Sequence, residues 1–269
     1  MTRFLRHCLL ALQSFSRIPV TGSLAAWAGW SPAMQQACTR HLPGVGWVVG
    51  AGCAAMVAGL HLVLPAAPAS AWVAAIAAIT VSALLTGGFH EDGLADLADG
   101  LGGTVSRERA LDIMKDSRLG AYGAMALVLA LLARAAVLAL LIQVDVRLAL
   151  LAVLLGAVVS RFSPLWVMHA LPHVGDADRS KSRAHAGSID APALLAAALW
   201  CLPAIALAQG LRPGVHWIAA LVGAALGAAA VKRLLSRRLD GYTGDGLGAV
   251  QQVSEIGLLL GLAVGLSAS

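Results

Sequence analysis

Charge is scarce in this 269-residue sequence: Asp, Glu, Lys and Arg make up 12% of it, about half the roughly 25% of an average soluble chain. That shortage, with 59% hydrophobic residues and a mean hydropathy of +0.79, excludes an ordinary water-soluble fold. Cysteine is scarce as well. Cys8, Cys38, Cys53 and Cys201 stand far apart, without C-x-x-C or Cys/His ligand spacing, so neither a zinc site nor a disulfide framework is indicated. Long polar stretches are missing: outside the N-terminal segment the longest is about 30 residues, too short for an independent core. Residues 1–269 therefore read as a single membrane domain. No internal repeat is visible, which leaves an inverted-repeat transporter without support.

What is present is a series of apolar runs near the roughly 20 residues a helix needs to cross a bilayer. Seven spans are expected, at 44–64, 71–88, 120–142, 148–171, 192–211, 214–231 and 247–267, which makes the fold class all-α: a polytopic helical bundle. Small residues inside the spans, as in Gly46 to Gly50 and Gly223 to Gly227, allow close helix packing and would permit a homo-oligomer.

Lys and Arg set the expected orientation, since loops near spans carry their excess on the cytoplasmic side. The N-terminal segment 1–43 (Arg3, Arg6, Arg17, Arg40), the loop 89–119 (Arg107, Arg109, Lys115, Arg118), the loop 172–191 (Arg179, Lys181, Arg183) and the loop 232–249 (Lys232, Arg233, Arg237, Arg238) hold 15 of the 19 basic residues. The N-terminus is thus expected in the cytoplasm. Topology and contact with an anionic bilayer account for the net charge of +5 without a nucleic-acid partner. Residues 2–16 repeat Phe4, Leu5, Cys8, Leu9, Leu12 and Phe15 at helical spacing and lack a small-residue cleavage site, so an interfacial amphipathic helix is expected rather than a cleaved signal.

Because acids are few, their clustering is informative. Gly87-Gly-Phe-His-Glu-Asp-Gly-Leu-Ala-Asp-Leu-Ala-Asp-Gly100 carries Glu91, Asp92, Asp96 and Asp99 where the second span gives way to a loop. In a helix Asp92, Asp96 and Asp99 fall at i, i+4 and i+7 and share one face, with Glu91 about 100° away. Like charges so placed repel, and a hard, oxygen-preferring cation such as Mg2+, usually completed by water and phosphate oxygens, is the natural remedy. A solvated acidic face is the plain alternative, but glycines at 87, 88, 93 and 100 are not what an ordinary surface helix selects. His90 reads equally as a ligand, an acid or base, or a packing residue.

Lys115, Asp116 and Arg118 follow just before the third span and read either as phosphate- or metal-handling groups or as positive-inside anchors. Arg161 lies within the fourth span, where a charge faces a polar cavity or a partner; Arg134 lies among Ala and Leu with no polar sequence neighbour. The last loop ends Asp240-Gly-Tyr-Thr-Gly-Asp-Gly-Leu-Gly-Ala249, a Gly-rich turn opening a helix whose N–H groups suit a phosphate. Thr243 alternatively caps that helix and Asp245 offsets its dipole. Glu255, two turns into the span, needs a partner, for which Arg161 or a metal are the candidates.

These pieces together resemble the cobalamin synthase family, adenosylcobinamide-GDP ribazoletransferases. The resemblance runs through Phe15-Ser-Arg-Ile-Pro-Val20, Leu42-Pro-Gly-Val-Gly-Trp47, Phe89-His-Glu-Asp-Gly-Leu-Ala-Asp96, Gly120-Ala-Tyr-Gly123, Ser160-Arg161 and Tyr242-Thr-Gly-Asp-Gly-Leu-Gly-Ala249, and departs at 172–183. It implies a Mg2+-dependent reaction at the cytoplasmic face of the inner membrane. The 3′-hydroxyl of α-ribazole or its 5′-phosphate attacks the cobinamide-side phosphorus of adenosylcobinamide-GDP and expels GMP. On that basis Glu91, Asp92, Asp96 and Asp99 are expected to hold the metal, one of them doubling as general base. Lys115, Arg118 and Arg161 are expected on phosphates, and His90, Asp116, Thr243, Asp245, Gly246 and Glu255 about the substrate. Two other readings remain at this point. A CDP-alcohol phosphotransferase would show Asp-Gly followed two residues later by Ala-Arg, where this chain has Asp92-Gly-Leu-Ala-Asp96. A transporter would use Arg134, Arg161 and Glu255 as its pathway.

Overall fold

A computed structural model describes residues 2–174 and 189–267; most of the expected loop 172–191, with its three basic residues, lies outside them. The described chain is helical. Before the first full span come α1 (Thr2–Phe15), α2 (Gly22–Ala28), α3 (Pro32–Cys38) and a 3-10 turn (Thr39–His41). Then follow α4 (Leu42–Val63), α5 (Pro68–Thr86), α6 (Phe89–Leu101), α7 (Arg107–Met114), α8 (Ala121–Val144) and α9 (Val146–Ala170). The chain closes with α10 (Ala191–Leu199), α11 (Cys201–Leu211), α12 (Trp217–Leu239) and α13 (Gly244–Leu266). Seven segments are long and apolar enough to cross a membrane, at α3–α4, α5, α8, α9, α10–α11, α12 and α13, as the hydropathy indicated. In hydrocarbon each backbone N–H must be satisfied within its own helix, so span and helix coincide.

Two boundaries differ from the sequence reading. The stretch 89–119 is not an open loop: α6 packs on α13 and α8, with Glu91, Gly93, Ala95 and Leu97 buried. The expected loop 232–249 shrinks to a turn at 240–243, because α12 continues through its basic residues to Leu239 and α13 begins at Gly244. Asp240 takes a left-handed conformation (φ 54°) to end α12. The turn is then held by Tyr242 N–H donating to Pro172 O (2.8 Å) and Val174 N–H donating to Tyr242 O (3.0 Å). α1 is the expected amphipathic helix; it turns His7, Leu10 and Ala11 inward and leaves Phe4 and Leu5 exposed.

α9 runs through the middle of the bundle, packed on α4, α8, α11, α12 and α13. Asp145 caps it by accepting the Arg147 N–H (2.8 Å) and is paired to Arg212. α12 and α13 form a close hairpin in which Gly223 meets Gly257 backbone to backbone. The apolar core falls into two bodies. One is built by α4, α5, α8, α9 and α11; the other gathers Leu97, Leu101, Met114, Met168, Leu235 and Val250 at the end of the bundle where α6, α7 and the start of α13 lie. The polar site sits against that second body.

Candidate functional site

Two glycine-bearing helix starts make the site. A Cβ on Gly93 of α6 would stand 2.7 Å from Asp245 O, and one on Gly248 of α13 would stand 3.0 Å from His90 O. Only residues without side chains allow α6 and α13 to approach this closely. The crossing sets Asp245 beside the acidic stripe of α6. Asp92 is exposed there, while Asp96 and Asp245 are half-buried. Burial, then the charges of Asp245, Asp92 and Asp99, push the Asp96 carboxyl up to about 7, well above the usual carboxylate range near 4. Such a rise is what a cluster of acids produces when no cation shares it.

The expected ligand set is sorted by the structure. Asp99 sends both oxygens to the start of α8, accepting from Gly120 N–H (2.7 Å) and Gly123 N–H (2.8 Å), so it caps a helix. Glu91 points the other way, into the bundle: its Oε1 accepts from Gln252 Nε2 (3.0 Å), and Arg134 Nη1 lies 3.9 Å off. Thr243 accepts the Gly246 N–H (3.1 Å). These two expected substrate-binding residues therefore satisfy each other as the α13 cap, because the Gly-rich stretch is the first turn of a helix and not a free loop.

Glu255 corrects another expectation. It pairs with Arg134, not Arg161: Arg134 Nη2 donates to Oε1 at 2.5 Å, and Gln251 Nε2 donates to Oε2 at 2.7 Å. Arg134 has no polar neighbour in sequence and finds two in space, since α8 presents it to α13 and α6. Gln251 also donates to Ser160 Oγ (2.8 Å), and Ser163 and Ser254 share a bond (2.7 Å). Sequence reasoning did not assign these residues. The polar run from Gln251 to Glu255 inside an apolar span was the available signal. Arg161 is fully buried and donates Nη1 to Ala157 O of its own helix (2.8 Å), while its Nε and Nη2 meet no partner among the described residues.

Lys115, Asp116 and Arg118 are not drawn into this pocket. They lie on the α7–α8 connection, where Arg118 grips Asp116 through Nε and Nη2 (2.9 and 2.5 Å) and Lys115 stands 4.0 Å from Asp112. Arg118 holds the Asp116 carboxyl down at about 2. Both border a shallow depression that also reaches Asp99 and Arg109.

Asp92 and Asp245 instead open onto a cavity of about 360 Å3 between α1, the Thr39–His41 turn, α6, α9 and the start of α13. Its walls include Phe15, Leu42, Phe89, Met168 and Tyr242, and His90 and Thr39 line it. The contribution of α1 and the 3-10 turn had no chemical signal in sequence. His90 is 3% exposed and packs against Phe89 with the rings tilted by 42° (3.8 Å between centroids). Burial first, then Arg161 and Arg134, depress its basicity well below the usual value, so the ring is neutral.

Whether Mg2+ suits this site is decided by the donor set. Among the described residues no three His, Cys, Asp or Glu side chains enclose a metal position, which argues against a closed all-protein cage. Mg2+ is commonly held by one or two carboxylates with water and substrate phosphates, and Asp92 and Asp245 at a cavity mouth fit that need with oxygen donors alone.

A multi-pass helical membrane protein with a carboxylate-rimmed cavity at one end of its bundle is the class these features define. Residues 7–263 match the family described as cobalamin-5-phosphate synthase, and the chain belongs to that family. It is 50% identical to the adenosylcobinamide-GDP ribazoletransferase of Albidiferax ferrireducens, over 99% of this chain and all of that one. It is also 50% identical to that of Polaromonas naphthalenivorans, with the same coverage, and 36% identical to that of Vibrio parahaemolyticus, over 92% and 88% of the two chains. No solved structure matches.

Proposed function

We propose that this protein joins adenosylcobinamide-GDP to α-ribazole or its 5′-phosphate, giving adenosylcobalamin or its 5′-phosphate and GMP, with Mg2+ at the cytoplasmic face of the inner membrane. Family membership supports the reaction. The observation that carries the siting is the α6–α13 crossing, which brings Asp245 to the acidic stripe of α6, so that Asp92 and Asp245 both line the cavity with Asp96 close by.

An alcohol attacking a diphosphate needs positioning and charge neutralisation more than it needs a protein nucleophile. Asp92 and Asp245 would hold Mg2+, which supplies charge neutralisation on the diphosphate oxygens and leaves the rest to the chain's own residues. The acceptor 3′-oxygen forms a bond to the cobinamide-side phosphorus, and the bond to the bridging oxygen breaks with its electron pair going to GMP. Asp96, half-buried on the same stripe beside Asp92 and Asp245, is the carboxylate set to take the hydroxyl proton. Asp99 and Glu91 act at one remove: they pin α6 to α8 and to α13 so that its acidic stripe keeps its aim.

The test is GMP release by purified, detergent-solubilised protein given adenosylcobinamide-GDP, α-ribazole 5′-phosphate and Mg2+. Release coupled to a new corrinoid, abolished by EDTA and reduced at least about 100-fold in Asp92→Asn and Asp96→Asn, is the expected result. Undiminished release in both variants would remove the acidic stripe from the mechanism.

A further inference from the structure

The first acid in the chain is Glu91, so Arg3, Arg6, Arg17 and Arg40 share residues 1–90 with no carboxylate. Two of them, Arg3 and Arg40, meet again in space. Both line a cavity of about 640 Å3 between α1, the Thr39–His41 turn and α10, together with Phe4, His7, His41 and Trp200. It is separate from the carboxylate-rimmed cavity: α1 gives its Arg3–His7 end to one and its Ser14–Phe15 end to the other.

The cradle is held in place by its own contacts. Phe4 stacks on Trp200 (5.9 Å between centroids, 14° between planes) and meets His41 edge-on (5.2 Å). The Trp200 ring lies against Gly44, where a Cβ would stand 2.9 Å from it. Trp200 Nε1 donates to His41 Nδ1 (3.1 Å), which places the proton of the neutral His41 ring on Nε2 as a donor. Arg40 is steadied by Nε donating to Ala37 O (2.9 Å). Among the described residues neither Arg3 nor Arg40 forms an ion pair with an acid. His7 is 6% exposed, and its Nε2 has no hydrogen-bond partner among those residues; a buried polar atom of this kind calls for a ligand. Burial, then the charges of Arg3 and Arg40, hold the His7 ring below its usual basicity, as expected where cations converge without an acid.

Two guanidinium groups and ring N–H donors suit an oxyanion such as a phosphate. The surface beside them decides where that phosphate comes from. Leu195, Leu199 and Leu202 are exposed and follow at i, i+4 and i+7 along the span Ala191–Leu211. An apolar stripe therefore runs on from the cavity wall, to which Leu199 belongs, into the hydrocarbon layer. A soluble phosphate ion would leave that stripe unused, whereas a phospholipid covers it with an acyl chain. We propose that the cavity between α1, the Thr39–His41 turn and α10 binds one anionic phospholipid, its phosphate on Arg3, Arg40 and His7 and an acyl chain along the Leu195–Leu202 stripe. Basic pockets between membrane helices hold lipid headgroups in this way. A phosphocholine headgroup carries its own cation into the pocket, and like charges there disfavour it. The bound lipid fastens α1, whose other end walls the carboxylate-rimmed cavity, to the α10 span.

Native mass spectrometry of the purified full-length protein counts the lipid it keeps when offered phosphatidylglycerol or phosphatidylcholine in detergent. The expected result is one phosphatidylglycerol per chain, held at least about tenfold more tightly than phosphatidylcholine. Arg3→Gln and Arg40→Gln should each weaken that hold by about fivefold to tenfold. Arg233→Gln removes one exposed cation from the basic end of α12 and should leave it within about twofold. Arg3 is exposed, so Arg3→Gln should fold, and a melting curve checks each variant. Equal retention of the two lipids, no change in folded Arg3→Gln, or an equal drop in Arg233→Gln overturns the site in favour of general attraction to a charged bilayer. Displacement of the lipid by millimolar inorganic phosphate marks a soluble-anion site and overturns the lipid assignment.

Discussion

Replacing Gly93 by Ala probes the crossing that brings the two halves of the site together. The added Cβ would sit 2.7 Å from Asp245 O and 2.9 Å from Asp245 Cα, against 3.4–4 Å for ordinary contact. Both neighbours are backbone and cannot rotate aside, so α6 and α13 must separate by about 0.7 Å. Overpacking of that kind costs about 1–3 kcal/mol. A misplacement approaching 1 Å at reacting groups costs on the order of 100-fold in rate. Gly93→Ala should therefore lower kcat for GMP release by about 10- to 100-fold, while the protein remains folded at the assay temperature with a melting point only a few degrees lower. Gly59→Ala is the control: on α4, nothing lies within 4 Å of its added Cβ. There the gain in helix propensity, up to about 1 kcal/mol, should leave kcat unchanged. Gly93→Ala with parental kcat and an intact fold would refute the claim that this close approach sets the geometry of Asp92, Asp96 and Asp245.

Three further outcomes follow from named contacts. Asp99→Ala removes the cap on α8 and should destabilise the protein by about 0.5–2 kcal/mol, read as a lower melting temperature; unchanged stability with lost Mg2+ binding would return Asp99 to the metal. Glu255→Met takes from Arg134 its hydrogen-bonded carboxylate and leaves only Glu91, 3.9 Å away, in the bundle, at a cost of up to about 3–5 kcal/mol. Arg134→Met/Glu255→Met should cost clearly less than the sum of the singles, and additivity in this cycle would show that the pair is not coupled. In EDTA-treated protein Asp96 keeps its proton up to about 7. Because its folded pKa is raised above the unfolded value, the stabilising protonated form is present at lower pH and lost as pH rises through 7. Melting temperature should accordingly fall from about pH 4 to about pH 7 and level off above that, and Asp96→Asn should reduce the slope.

Much of the fold was readable from local pattern. A bilayer requires each span to satisfy its own backbone, so length and apolarity alone placed seven helices. The acidic stripe was legible for the same reason: spacing at i, i+4 and i+7 sets a direction about a single helix axis. What lies across from that direction is not local. Asp99 and Glu91 share a helix with Asp92 and Asp96 yet meet a helix start and a buried glutamine, because α8 and α13 occupy those sides. Arg134 and Glu255 are 121 residues apart and sit in different spans, and nothing in either stretch indicates their union.

The sequence by itself determined that the chain is a helical membrane protein with one carboxylate-rich segment and a glycine-rich helix start, since hydropathy and periodicity act within a single element. Only the tertiary structure decided which acids face one another, which are spent on capping and pairing, and that α1 and the Thr39–His41 turn wall a cavity beside them. Those outcomes depend on how closely α6 and α13 approach, which is set by backbone contact at Gly93 and Gly248 and by no property of either helix alone.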